Sequence, residues 1–401
     1  MNILIISRDG ELLGVADRLG REGHSVKVTA EIPLKKTNSG MYEVIEAKEV
    51  YSALKWCLFV ISDVNHSAGF FTKVSMYNKP IIGTSTFTQT SNEDSISEYA
   101  VFNRYGVKIP ETIPVQSITE IYKIVTDWKL PRYNIRFDRT SFTGKYSEFM
   151  SWAVNKIPAG NIVLMQEPIE DDLTVIVSGF FNGNNFISPF FVTTDNNDEN
   201  KHCIVAPLEA SNKLVDQNLI MLYQWLRTID YHGPISIRLK IVKDNIYAID
   251  MFAGFRYPDI YAILEGLKVE VGAFFNALAF GIDLDLEYEG NYFGAMEATS
   301  KDWKILDGAP ILNIQNPEQL KHIFPVGVMK SDHAQEDMFV SGEVETIFTV
   351  SCYSSDIREG KKRMVRTLGN TNFPNMEFNP HVQLSAGSPF HSLKERRFIN
   401  G

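Results

Sequence analysis

The stretch His232 to Asp259, HGPISIRLKIVKDNIYAIDMFAGFRYPD, decides the reading of this chain. Ile235, Ile237, Leu239 and Ile241 alternate with Ser236, Arg238 and Lys240, and a period of two marks a half-buried strand. Lys243-Asp244-Asn245 supplies a turn, and a second strand runs from Ile246 to Met251. The hairpin brings one acidic side chain, Asp250, to the edge of an irregular Gly-containing segment. A three-residue turn sets Arg238 opposite Asp250, in reach of a cross-strand ion pair.

Outward from the hairpin, the amino-terminal part reads as alternating strand and helix. Ile3 to Ser7 is a short apolar strand, Leu12, Leu13, Ala16 and Leu19 recur at helical spacing, and Ser25 to Thr29 is a second strand. This βαβ opening continues with strands Leu58 to Ser62 and Pro80 to Gly83 around a helix-compatible Phe70 to Tyr77, which predicts an open parallel sheet. Next come a helix from Ser117 to Trp128, a strand Ile135 to Asp138, and a flexible loop Thr140 to Gly144 ending in Lys145. Val163 to Pro168 is a strand, and Thr174 to Phe181 pairs with Phe186 to Thr193 across Asn182-Gly183-Asn184-Asn185, a strong hairpin signal. Helices are expected at Leu214 to Thr228 and, as one unusually apolar element, at Pro258 to Gly281. Beyond Asn291 lie strands Tyr292 to Glu297, Phe324 to Met329 and Glu345 to Ser351, then a basic helix from Asp356 to Leu368.

With 401 residues, 44% hydrophobic and 22% charged, the chain is a globular protein of roughly two to four structural units. A formal net charge of −10 works against a broad nucleic-acid footprint, which needs clustered cations. Cys57, Cys203 and Cys352 lie far apart without metal-ligand spacing, so a reducing cytoplasm is expected and no disulfide framework. The opening apolar run is interrupted by Arg8 and Asp9, too short for a signal h-region or a membrane span.

These features together resemble the glycinamide ribonucleotide synthetase family, phosphoribosylamine–glycine ligases of the ATP-grasp superfamily. There a matching hairpin ends in Glu-Phe-Asn, followed by Arg-Phe-Gly-Asp-Pro-Glu; this chain reads Asp250-Met251-Phe252, then Gly254-Phe255-Arg256-Tyr257-Pro258-Asp259. Gly83-Thr84-Ser85, Ser95 to Tyr105 and Ile109-Pro110-Glu111-Thr112 are similar to the family's Gly-Pro-Thr, Glu-Gly-Ser-Lys and Ile-Pro-Thr series in order and spacing. The resemblance implies an α/β fold with α+β elements: an amino-terminal open parallel sheet domain over residues 1–113, a two-lobed ATP-grasp core over 114–290 (a mobile lobe 114–185, a second lobe 186–290), and a small β-rich domain over 291–401. It implies ATP-dependent joining of a small-molecule carboxylate to an amine through an acyl phosphate, with ATP and Mg²⁺ as cofactors and homodimer formation left open.

Residue by residue, the resemblance gives Arg136 and Lys145 to the nucleotide phosphates, Gln166 and Glu167 to the adenine, Glu170 and Asp172 to the ribose, Asp250 to Mg²⁺, and Arg256 to the acyl phosphate or acceptor. Each has a plainer reading. Arg136 needs an anionic partner that is either phosphate or a neighbouring carboxylate. Lys145 can be a solvated loop residue, Glu170 and Asp172 an acidic loop, and the run Arg358 to Arg366 the solvated face of a helix. Phe252 stands where the family has Asn, and a ring cannot ligate magnesium. Asp195 to His202 replaces the family's glycine-rich segment, and His202 reads as a loop residue. Two functions stay open: a divergent ligase, or a non-catalytic descendant in which an Arg238–Asp250 pair fills the vacated metal site.

Overall fold

The computed structural model describes residues 1–64, 74, 76–83, 88, 94–137, 140–156, 162–169, 173–194, 201–314, 317–330, 338–378 and 389–399. Glu170, Asp172, Asp138, Thr84 and most of Phe70–Tyr77 lie outside these residues, as does the segment 195–200.

The first unit is a parallel sheet of β1 (Asn2–Ser7), β2 (Ser25–Ala30), β3 (Glu43–Val44), β4 (Phe59–Ser62) and β5 (Ile81–Gly83), in the order β3-β2-β1-β4-β5. The central strands β1 and β4 read as apolar runs because both of their faces are covered, and they are buried along almost their whole length. A four-stranded antiparallel sheet follows, β6 (Thr112–Val115), β7 (Tyr133–Phe137), β8 (Thr140–Gly144) and β9 (Val163–Gln166), ordered β6-β9-β7-β8. Helices Ile118–Trp128 and Tyr146–Lys156 pack on it, and Val125, Ile135, Phe149 and Met165 form its core. The hydroxyl of Ser117 accepts a hydrogen bond from the Glu120 amide, which fixes the start of the first of these helices.

The largest element is an eight-stranded antiparallel sheet. Its strands are β10 (Leu173–Asn182), β11 (Phe186–Thr194), β12 (His202–Leu208), β13 (His232–Val242), β14 (Asn245–Ala253), β15 (Tyr292–Thr299), β16 (Ile323–Pro325) and β19 (Thr346–Ser354), while β17 (Val328–Lys330) and β18 (Met338–Val340) make a separate ribbon. The order β14-β13-β10-β11-β12-β15-β19-β16 runs one sheet across residues 173–253 and 292–354. Both faces are buried. Val175, Val177 and Phe181 face one core with Leu222 and Leu226, whereas Phe180 enters the other against Phe274, ring centroids 5.0 Å apart. Gly83 and Gly233 join this sheet to the first: a Cβ on Gly83 would stand 2.0 Å from the Ser62 carbonyl oxygen, and one on Gly233 would stand 2.7 Å from the Gly83 nitrogen. Only bare backbone fits there.

Several local expectations are corrected. The β13–β14 turn has two residues, since Val242 pairs with Asn245, and a bulge at Ile249 then restores Arg238 opposite Asp250. Thr140–Gly144 is a strand paired with β7, not a loop, because Phe142 pairs with Ile135 and stacks on Trp152. The apolar stretch Pro258–Gly281 forms two helices, Asp259–Glu265 and Val271–Phe280; Gly266 closes against the Phe293 ring and Leu267 bridges to Tyr288. Phe324–Met329 divides between β16 and β17, where the amides of Val326 and Gly327 both donate to the Ile347 carbonyl. Leu214–Thr228 is helical but irregular until Tyr223.

Candidate functional site

Two charged places lie at strand ends. The first is the end of the β13–β14 hairpin, where Arg238 Nη1 stands 3.3 Å from Asp250 Oδ2, both side chains partly exposed. Phe252 pairs with Ser236 two positions along, on the same face as Asp250. A hard divalent cation takes several oxygens, usually including one or two carboxylates. Here the one carboxylate faces a guanidinium and the next residue on that face offers a ring. Among the described residues, no group of three or more His, Cys, Asp or Glu is placed to hold a metal ion. The donor set does not fit Mg²⁺.

Arg136 finds its partner in Glu98, on the helix Ser95–Tyr105, rather than in Asp138. Its Nη2 lies 2.9 Å from Glu98 Oε2, its Nη1 donates to the carbonyl of the bulged Ile249, and Glu98 Oε1 accepts from the Met251 amide. Glu98 is 1% exposed and Arg136 11%. One carboxylate therefore ties the four-stranded sheet to the open edge of β14, where the Ala248 amide also donates to the Lys108 carbonyl at 2.8 Å.

The other positions expected to meet a nucleotide make contacts of their own. Lys145 is exposed. The buried Gln166 amide bridges Asn134 and Thr112, at 3.2 and 3.1 Å. The Glu167 amide donates to the Glu111 carbonyl at 2.9 Å, and its side chain is exposed.

The second place is a cavity of about 330 Å³ at the carboxyl edge of the first sheet, where ligands gather in open α/β sheets. Arg256, Asp259, Glu11, Glu297, Lys201 and His202 line it. Arg256 Nε is 3.4 Å from Asp259 Oδ2, and Lys201 Nζ is 2.6 Å from Glu345 Oε1. Glu297 is buried within β15 and accepts from the Thr346 hydroxyl at 3.0 Å. Burial, then the charge of Glu297, pushes the Glu11 carboxyl up to about 7; burial also raises Glu297. Behind the wall, burial lifts Asp63 to about 6 although it accepts from the Tyr257 hydroxyl at 2.9 Å, the Arg8 amide at 2.7 Å and the Ser7 hydroxyl at 3.1 Å. His202 is not a loop residue: it opens β12, is 5% exposed, and desolvation lowers its pKa.

Of the residues expected from sequence, the structure brings Arg136 beside the hairpin end and Arg256 into the cavity, and it leaves Lys145, Gln166 and Glu167 on the four-stranded sheet. Sequence reading missed Glu98, Glu11, Asp63 and Glu297. Asp63 directly follows an apolar parallel strand, a position that does carry a signal. Glu297 interrupts an otherwise small and apolar run, Tyr292 to Ala298.

No family profile and no curated protein matches the chain. Solved structures do. Phosphoribosylamine–glycine ligase from Thermotoga maritima is 14% identical, covers 94% of this chain and 99% of its own, and superposes with a TM-score of 0.68. N5-carboxyaminoimidazole synthetase from Staphylococcus aureus complexed with ADP is 15% identical over 92% and 98%, TM-score 0.61. A biotin carboxylase–β-γ-ATP complex from Campylobacter jejuni is 12% identical over 98% and 95%, TM-score 0.63. No helix among the described residues is long and apolar enough to cross a membrane. On these near full-length superpositions, the chain has the ATP-grasp fold that these three structures share.

Proposed function

We propose that this chain is a small-molecule-binding protein on an ATP-grasp scaffold, one in which Mg²⁺–ATP-driven ligation no longer operates. The observation that carries this reading is the Arg238–Asp250 pair at the hairpin end. A fixed guanidinium there cancels the negative charge a Mg²⁺ ion would need, and Phe252 adds no lone pair. Arg136, the cation next in line for a phosphate, is held by Glu98 and the Ile249 carbonyl. Removing a buried charge from such a partner is costly, so a triphosphate would have to displace Glu98 to recruit it.

Ligand binding is assigned to the 330 Å³ cavity, within the size range of small-molecule sites. Arg256 offers a planar fork for a carboxylate. Glu11 and Glu297 offer acceptors for an amine or, when protonated, a hydrogen-bond donor.

The test is a thermal shift with MgATP on the full chain. A ligand that binds only the native state raises the melting temperature by mass action; this reading expects no rise at millimolar MgATP and loses its basis if one appears.

A second reading, an ATP-dependent carboxylate–amine ligase, is favoured by the same cavity, where Arg256 lies beside paired acidic groups. In it Arg136 and Lys145 hold phosphates, Gln166 and Glu167 frame adenine, Glu170 and Asp172 meet the ribose, and Arg256 orients the acyl phosphate, in a cytoplasmic purine-type synthesis. Release of phosphate from ATP when carboxylates and amines are supplied together would establish it over the first.

A further inference from the structure

We infer that Glu343 is the latch of a strap, residues 341–345, that closes the 330 Å³ cavity against solvent. The strap is the short connection between β18 and β19. Its residues Val344 and Glu345 line the cavity together with Thr346, the first residue of β19. Val344 is 7% exposed and belongs to the same buried cluster as Leu12, Leu13 and Cys203, so the strap reaches both the amino-terminal unit and the cavity wall.

A carboxylate fastens the strap to the amino-terminal unit. Glu343 Oε1 accepts from the Lys35 amide at 2.8 Å, Oε2 accepts from the Thr37 amide at 2.9 Å and the Thr37 hydroxyl at 2.7 Å, and the Lys36 amide lies 3.1 Å from both oxygens. Successive amides turned toward one point make a concavity that suits an anion, and the chain fills this one with its own carboxylate. Burial opposes the charge, yet the Thr37 hydroxyl and the three amides outweigh it and hold the Glu343 carboxyl below the usual carboxylate range, so the latch stays charged at neutral pH. Further along the strap, Glu345 pairs with Lys201 at 2.6 Å with both side chains largely exposed, a contact worth little by itself. Releasing Glu343 therefore removes the strap's charge-assisted hold on residues 35–37. Thr346, whose hydroxyl donates to Glu297, moves with the strap, and the path to Arg256, Glu11 and Glu297 opens.

This role rests on the cavity being the ligand site proposed above, whereas its test needs no ligand. Cys203 lines the cavity and is 2% exposed. Cys57 and Cys352 are also buried but lie outside the lining, so the three thiols separate opening of the strap from general unfolding. The full chain is pulsed with iodoacetamide at mildly alkaline pH, and each cysteine is quantified by peptide mass spectrometry. Glu343→Ala should raise Cys203 labelling about tenfold over wild type, the loss of a charge-assisted contact, with Cys57 and Cys352 unchanged. Thr37→Val, which removes one donor and keeps the carboxylate, should raise it about threefold. The latch is overturned if Cys203 reacts no faster in either variant than in wild type, or if all three cysteines gain reactivity together, which would make Glu343 a general stabilising contact. A wild-type Cys203 that already reacts as fast as a free thiol overturns it as well. The MgATP thermal shift tests the ligand reading separately and does not bear on these rates.

Discussion

The hairpin end and the cavity at the edge of the first sheet are both built from charged side chains at strand termini, and they treat those charges in opposite ways. At the hairpin end Arg238 faces Asp250, and Arg136 faces Glu98, which also takes the Met251 amide. In the cavity, Glu11 and Glu297 lie near each other in a partly dry space, and burial raises both carboxyls. A place whose charges are satisfied internally gives little to a ligand. A partly buried place whose carboxyls are held at elevated pKa has the character that functional sites tend to have.

The largest effect should come from breaking the satisfied place. Glu98→Ala strands Arg136 in a buried setting and orphans the Met251 amide, so urea unfolding should show a loss of about 3–5 kcal/mol. Glu98→Gln with Arg136→Met should recover much of it; a Glu98→Ala chain as stable as wild type would mean the contact does not hold the two sheets together. Next in size is restoration. Arg238→Glu with Phe252→Asn rebuilds an oxygen-donor set beside Asp250, and MgATP should then raise the melting temperature, by about 2.7 kcal/mol of stabilisation at a hundredfold excess over Kd. If the double variant stays silent, Glu98 and not the Arg238–Asp250 pair is what keeps the hairpin end from taking up MgATP.

A smaller effect sharpens the account of the cavity. The folded pKa of Glu11, about 7, and of Asp63, about 6, stand above the ordinary carboxylate range. Their protonated forms are favoured by the fold, so this stability is full at pH below that range and is lost as pH rises through about 6 to 7. The melting temperature should fall across that window, and Glu11→Gln should flatten the fall, with a gain on the order of 1–2 kcal/mol on the alkaline side after solvent screening. An unchanged pH profile in Glu11→Gln would assign the dependence to Asp63 instead. Least in stability are Lys243→Asn and Arg397→Asn, which place Asn where the backbone is left-handed, at φ 54° and 60°, and are expected to be neutral or slightly stabilising.

The ATP-grasp architecture was legible because its parts announce themselves locally. Asn182-Gly183 marks a tight hairpin, Ser117 a helix start, and the alternation Ile235 to Ile241 a half-buried strand, and each is found where it was expected. The single helix expected over Pro258–Gly281 failed because apolar content says that a segment is buried, not that it is straight, and the Phe293 ring against Gly266 decides the break. His202 was misread because the pairing that makes β12 a strand comes from β15, whose Met296 is its partner.

By itself the sequence determined the sheet-and-helix series and the absence of a metal-ligating side chain at Phe252, since both depend on period, chemistry and near neighbours, whereas the pairing of Arg238 with Asp250 needed the bulge at Ile249. Tertiary structure alone decided that Glu98 meets Arg136 across 38 residues and Met251 across 153, that Glu11 and Glu297 share a cavity, and that Glu343 meets the Thr37 amide across 306 residues. Charges act through space, and distance in space is set by how packed layers stack, which no local pattern along the chain encodes.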